Sequence, residues 1–210
     1  FSYGSKGIYV SGTGAAHQYV LDGNGAVVTT SSNSDSISDV GASLISGFYR
    51  AETTTNSVFY TNGALNENYL GSGRIPTGSS TELEIGGRTL GAIPHRVFQG
   101  QIAEIIQISN DISGHSQQSI IESYLATKYG ISLDQTLPNN SLNSAGDVIW
   151  NAGTNAGYTS DVFGLSRDDL YSLDQRVSKS VNADTVLTIA LDADFTSPNQ
   201  SGARTTSHTN

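Results

Sequence analysis

The 210-residue sequence has no cysteine, no methionine and one tryptophan, and it carries only 10 Lys+Arg against 19 Asp+Glu. Without cysteine there is no disulfide framework, no thiolate metal site and no thiol nucleophile. A formal net charge of -9 leaves no basic face to neutralise phosphates, so nucleic acid is excluded as a partner. Apolar runs such as Ala103–Ile108, interrupted by Glu104, are far too short to span a bilayer as a helix, and no direct membrane insertion is expected. Charge is scarce as a class, at 14% of residues, so the solvated faces must be covered by hydroxyls and amides. The chain opens on Phe1-Ser2-Tyr3-Gly4 without the basic, apolar and small-residue order of a signal peptide, and it reads as an internal or processed piece.

What is present is turn chemistry and a period of two. From the N-terminus to about Ile108 apolar residues alternate, which places them on one face of successive strands. The strand candidates are 7–10, 18–21, 26–30, 44–50, 57–61, 82–85 and 97–108. Asp22-Gly23-Asn24-Gly25 and Asn62-Gly63 suit hairpin turns that require positive φ, and Ile75-Pro76-Thr77-Gly78 reads as a looser loop. Many short strands with frequent turns predict an all-β antiparallel sandwich.

One segment has a different period. Ile120, Ile121, Tyr124, Leu125 and Tyr129 recur at three- and four-residue steps, which predicts a helix over 116–129 with these side chains facing a sheet. Ser113 is the expected N-cap and Gly130 the C-terminal stop. Residues 135–142, around Leu137-Pro138-Asn139-Asn140-Ser141, break both periods and read as a linker between a first domain (1–134) and a second β-rich unit (143–210). Strands are expected there at 147–151, 161–165 and 185–192. The tail from Ser197 has no apolar periodicity, so it is either disordered or part of a unit cut short.

The run Thr81-Glu82-Leu83-Glu84-Ile85-Gly86-Gly87-Arg88, then Phe98-Gln99-Gly100-Gln101-Ile102-Ala103-Glu104-Ile105-Ile106, resembles the closing strands of concanavalin A-like, laminin-G-like jelly-roll modules. Ile121-Glu122-Ser123-Tyr124-Leu125-Ala126-Thr127-Lys128-Tyr129-Gly130-Ile131 is similar to the helix that follows those strands. The resemblance covers about residues 1–134 and implies a jelly roll with one C-terminal helix. Segments 143–151, 162–169 and 173–180 resemble a β-domain that follows the jelly roll in very large secreted or surface-anchored bacterial proteins, including gliding and adhesion proteins. This implies a place at the bacterial cell surface more than an activity. Its further strands, beyond the part matching 187–195, are missing here, which implies a partial second domain.

Catalytic motifs are hard to find. Jelly-roll glucanases resembling this module use Glu-x-Asp-x-Glu, whereas Glu82-Leu83-Glu84 has two acids on one strand face and lacks the others. His17, His95, His115 and His208 match no metal-ligand spacing, and no nucleophile elbow or phosphate-binding glycine loop occurs. Calcium is the one ion whose oxygen ligands the sequence offers, at Asp22 with Asn24, at Asn110 with Asp111, and at Asp192 with Asp194. Turn formation is the competing role of each pair. Arg167-Asp168-Asp169, with Asp174, Arg176 and Lys179 nearby, reads as an ion-pair network that fixes loops. Trp150, beside Val148-Ile149, is expected in the core. Sugar stacking would fall to Tyr3, Tyr49, Tyr60, Tyr69 or Tyr158. The expectation is a non-catalytic extracellular module of a large bacterial surface protein. Its partners would be surface polysaccharide or other copies or domains of the parent protein, and the alternative is a calcium-dependent carbohydrate-binding domain.

Overall fold

The structure, a computed structural model, describes residues 6–10, 16–21, 27–31, 41–48, 55–71, 85–86, 88–90, 93–95, 98–110, 112–135, 140–158, 162–179, 187–199, 204, 206 and 208. Most of the regular structure consists of strands in small antiparallel sheets, with one helix among the described residues. The chain divides into two compact units. The first comprises Phe1–Ser36, Gly47–Phe59 and Asn66–Asp111, and the second Ile37–Ser46, Tyr60–Leu65 and Ile112–Asn210.

The three N-terminal strands, β1 (Lys6–Val10), β2 (Ala16–Leu21) and β3 (Val27–Ser31), form an antiparallel meander that pairs Tyr9 with His17 and Tyr19 with Thr29. Strands β4 (Ile45–Phe48), β5 (Thr55–Thr61) and β6 (Ala64–Gly71) make a second three-stranded sheet. The short pair β7 (Arg88–Leu90) and β8 (Ile93–His95), which the alternation did not reveal, sets Arg88 opposite His95. Of the expected strand 82–85, only Ile85 is described, and it is exposed and outside any strand.

Two local expectations are met in detail. Asn62 and Gly63 have φ of 49° and 79°, the pair of positive values that closes a two-residue hairpin between β5 and β6. The turn is also a packing element. Leu44 donates its backbone N–H to Asn62 Oδ1 at 2.8 Å, and Asp134 donates to the Asn62 carbonyl at 2.7 Å. A Cβ on Gly63 would lie 3.5 Å from Leu133 Cδ2, an ordinary contact, so only the backbone resists a side chain there. Gly63→Ala is expected to cost about 1 kcal/mol, and Gly63→Asn less, because asparagine tolerates left-handed backbone. Thermal melting of the two variants checks the order.

The stretch before the helix departs from its pattern. Residues 98–108, expected to be the closing strand, carry no strand, and Phe98, Ile102, Ile105, Ile106 and Ile108 are exposed. A period of two marks the faces a strand would present. It does not supply the neighbour whose N–H and C=O groups make the segment a strand.

Helix α1 (Ser116–Tyr129) has the expected bounds, and Gly130 closes it in the left-handed region at φ 68°, donating to the Ala126 carbonyl. Its N-cap is His115, not Ser113, and no side chain caps it directly; the Gln118 side chain reaches back to accept the Gly114 N–H at 2.7 Å. The helix belongs to the second compact unit. At the C-terminal end of the expected linker, β9 (Ser141–Leu142) pairs with β10 (Val148–Trp150) and packs against α1. Beyond them, β11 (Ser166–Asp168) pairs with β12 (Leu173–Gln175), and β13 (Val177–Lys179) pairs with β14 (Thr188–Ala190). The strand expected at 161–165 therefore begins at Ser166, and residues 162–165 lie outside any strand.

In the second unit Leu44, Ala126, Ile131 and Leu133 are buried together, with Leu125 and Tyr129 packed against them. Among the described residues of that unit, Ala152 and Leu173 are buried apolar side chains outside this cluster. In the first unit Val58 and Phe59 are buried, Phe59 completely.

Candidate functional site

The described polar contacts of the second unit collect at two places. The first is the buried face of α1. Its buried residues are Gln118, Glu122, Ser123 and Ala126, a stripe turned one residue away from the expected Ile121–Leu125 line; Ile120, Ile121 and Tyr124 are half-buried. Polar side chains are tolerated there because each is paired. Glu122 Oε1 accepts from Ser46 Oγ at 2.9 Å and from Gln118 Nε2 at 3.0 Å. Ser123 Oγ donates to the Ser119 carbonyl at 2.5 Å and accepts the Leu142 N–H at 2.9 Å, which ties the helix to β9.

Burial pushes the Glu122 carboxyl above its ordinary value of 4.5, against the opposing pull of the Gln118 and Ser46 hydrogen bonds. Because the folded pKa lies above the unfolded one, Glu122 favours folding fully below pH 4.5, and that contribution is lost as pH rises through the folded pKa. Glu122→Gln keeps an acceptor for both donors and removes the charge. Its stability advantage over the parent chain should therefore widen between pH 4.5 and pH 7, which denaturation at a series of pH values measures.

The second place is the set of loops from the β9–β10 turn onward. Asn143 Oδ1 accepts the N–H groups of Ala145 and Asp147, shaping the β9–β10 turn around Gly146 at φ 89°. Asp168, on β11, receives the Ser144 N–H at 2.7 Å and the Ser144 hydroxyl at 2.6 Å. Burial works against its charged form, but these bonds win and its pKa falls. Arg167 forms a two-pronged pair with Asp169 at 2.7 and 3.2 Å, exposed to water. The expected ion-pair network is thus present as loop fixation. A narrow crevice beside Asp168, lined by Tyr124, Thr127, Ser144, Ile149 and Tyr171, has a volume of about 10 Å³, room for about one water molecule.

Most of the fixation centres on Arg204, whose side chain is 0% exposed. Its guanidinium pairs with Asp192 at 2.7 Å and donates to the carbonyls of Asp194, Ser197 and Pro198. Asp194 Oδ1 accepts the Thr196 and Ser197 N–H groups, and hydrogen bonds from Ser197 and Thr196 hold its carboxyl far below the usual carboxylate range. Arg176 donates to the carbonyls of Asn199, Arg204 and Thr206. The Asn199 amide bridges the N–H groups of Arg176 and Val177 and the Val177 carbonyl. The described residues of the tail are therefore held by side chains, although no strand follows Ala190 among them.

This arrangement takes in one of the three calcium candidates. Asp192 and Asp194 come together around the buried Arg204 guanidinium, which pairs with Asp192 at 2.7 Å and lies 4.0 Å from Asp194 Oδ1. Asn110 is exposed, while Asp22, Asn24 and Asp111 lie outside the described residues. No group of three or more His, Cys, Asp or Glu side chains suited to a metal occurs among the described residues. His115 sits at the helix N-cap, and His208 reaches the Gln175 carbonyl at 3.2 Å; His17 and His95 lie in β2 and β8. Trp150 is half-buried with Nε1 bonded to Gln135 Oε1 at 3.0 Å, while Val148 and Ile149 are exposed, so this strand is less of a core than expected. Tyr158 is 70% exposed. Tyr60 is half-buried, and Tyr3 and Tyr49 lie outside the described residues. Arg204 itself went unnoticed in the sequence, because an isolated arginine in a polar tail has no periodicity to mark it.

A family model described as a domain of unknown function (DUF8202) matches residues 117–210, somewhat under half of the chain. The matched span starts inside α1 and takes in every later element of the second unit, Arg204 included. No curated protein and no solved structure matches the chain.

Proposed function

We propose that the chain is a non-catalytic module of a large bacterial surface protein, acting outside the cell in adhesion or in assembly of the surface layer, with a jelly-roll type of sandwich as the architecture of its first part. The observation that carries this reading is the use made of ionisable groups in the second unit. Arg167, Asp168, Asp169, Arg176, Asp192, Asp194 and Arg204 are spent on one another and on backbone groups, an investment in loop shape. Low charge and abundant hydroxyl and amide side chains agree with a module that meets water and sugars on most of its surface.

Carbohydrate binding is the second reading, favoured by the exposed ring of Tyr158, which is free to stack on a sugar face. A glycan array with the parent chain and Tyr158→Ala, with and without chelator, tests both. Binding lost in the variant supports the lectin reading, and loss on chelation adds calcium to it. Binding to no glycan leaves protein partners or other copies as the adhesive contact. Release of sugar from a β-glucan at any calcium level would overturn the non-catalytic reading.

A further inference from the structure

The turn between β11 and β12 presents two apolar side chains to water, Leu170 at 75% and Tyr171 at 36% exposure, on a backbone that polar groups hold in place. Ser172 closes the turn at φ 52°, a left-handed conformation that is unfavourable for a residue with a Cβ, and donates its N–H to the Asp169 carbonyl. The Asp168 carboxylate accepts the Ser144 N–H and hydroxyl together with the N–H groups of Leu170 and Tyr171, so its roughly four acceptor positions are taken up by the two turns it joins. The Tyr171 ring stands edge-on to Tyr124 with centroids 5.4 Å apart, and Lys128 Nζ donates to the Tyr124 hydroxyl at 2.6 Å. Backbone strain and a saturated carboxylate thus fix an aromatic ring that is left in water, an arrangement that prepares a contact at low entropic cost.

Tyr171 also lines the crevice beside Asp168, whose volume of about 10 Å³ accepts a single oxygen atom with its hydrogen. Thr127 and Ser144 bring hydroxyls to the crevice, while Tyr124 and the half-exposed Ile149 bring apolar surface. A ring beside a one-oxygen notch with hydroxyls in its walls matches a pyranose, whose C–H face covers an aromatic ring while one hydroxyl enters the notch. Among the described residues that line the crevice Asp168 alone is charged, and the chain carries a formal net charge of -9, so a sugar without acid groups is favoured over a uronate. A protein partner fits less well. A specific protein interface covers about 800 Å² of each partner around an apolar centre, and the exposed apolar surface here is that of Ile149, Leu170 and Tyr171.

We propose that the notch bounded by α1, the β9–β10 turn and the β11–β12 turn binds one neutral pyranose residue of a polysaccharide, stacked on Tyr171 with a hydroxyl held by Thr127 and Ser144. The proposal rests on the carbohydrate-binding reading and gives it a site other than Tyr158. Asp168 is a positioning residue in this site, since it ties the Ser144 wall to the Tyr171 turn and has no acceptor position left for the sugar.

Calorimetric titration of the full chain with neutral oligosaccharides of glucose, mannose, galactose and N-acetylglucosamine, and with oligogalacturonate as the acidic counterpart, tests it. At least one neutral oligosaccharide should bind, and oligogalacturonate should bind more weakly. Tyr171→Ala should weaken that binding by about tenfold or more, while Tyr171→Phe keeps the ring and most of the affinity. Thr127→Val, which removes a hydroxyl and preserves the shape of the side chain, should cost roughly fivefold in affinity with no change in thermal melting, an arm that does not depend on Tyr171→Ala folding. Tyr158→Ala should bind like the parent. Loss of binding in Tyr158→Ala but not in Tyr171→Ala would overturn this site and leave the carbohydrate reading standing. Parent affinity in both Tyr171→Ala and Thr127→Val, or tighter binding of oligogalacturonate, would overturn the site as well. A parent chain that binds none of the oligosaccharides would overturn site and reading together and leave the exposed ring to a protein partner.

Discussion

Replacing Arg204 with alanine is expected to destabilise the second unit by about 3 kcal/mol, since removing one partner of a buried charge pair leaves the other uncompensated. The side chain is 0% exposed and supports Asp192 together with three carbonyls; without the guanidinium, Asp192 Oδ1 keeps the Asp194 N–H but loses its charge partner, and the carbonyls lose this donor. With a urea dependence of about 2 kcal/mol per molar, the unfolding midpoint should drop by about 1.5 M. Arg204→Lys should fall between, because an ammonium keeps the charge but not the planar fork that reaches several oxygens at once. A lysine variant as stable as the parent would mean that charge alone matters there and that the carbonyl bonds contribute little.

The other large effect lies on the helix. Ala126 is buried with Leu44, Ile131 and Leu133, where a carboxylate has no donor to meet, so Ala126→Asp is expected to cost more than about 4 kcal/mol and to leave the second unit unfolded at room temperature. The same change at Ile121, which is only half-buried, should cost about 1–2 kcal/mol. Circular dichroism and urea titration of the two variants separate the buried stripe from its neighbour. If Ile121→Asp unfolds the chain and Ala126→Asp does not, the helix faces the way its apolar residues suggested.

That contrast shows what the sequence could and could not reveal. Asn62-Gly63 and Gly130 were legible because their roles are local: a backbone that must adopt positive φ calls for these residues wherever the chain lies. The bounds of α1 were legible for the same reason. Its buried face was not, because part of what satisfies Glu122 and Ser123 inside, Ser46 and the backbone of Leu142, is far away in sequence. Residues 98–108 erred the opposite way. Their alternation is a statement about faces, and no local signal says whether a partner strand stands beside them.

The ion-pair reading of residues 167–169 followed from opposite charges close in sequence and is present as Arg167 with Asp169. The hold of Arg176 and Arg204 on the tail spans up to 30 residues between polar groups of no distinctive order, so composition and periodicity give no warning of it. Asp192 and Asp194 drew attention as an acidic pair, while the cation that answers them is a side chain of the same loop.

Amide hydrogen exchange followed residue by residue tests the central claim, that the second unit is a polar-cored module closed by its own tail. The N–H groups of Arg176, Val177, Asp194, Thr196 and Ser197 all donate to side-chain oxygens within this network. They should exchange as slowly as those of Ile131 and Leu142, and all should open together as denaturant is added. Exchange at the rate of an unstructured peptide for residues 194–197, with α1 still protected, would contradict it and reduce Arg204 to a bystander.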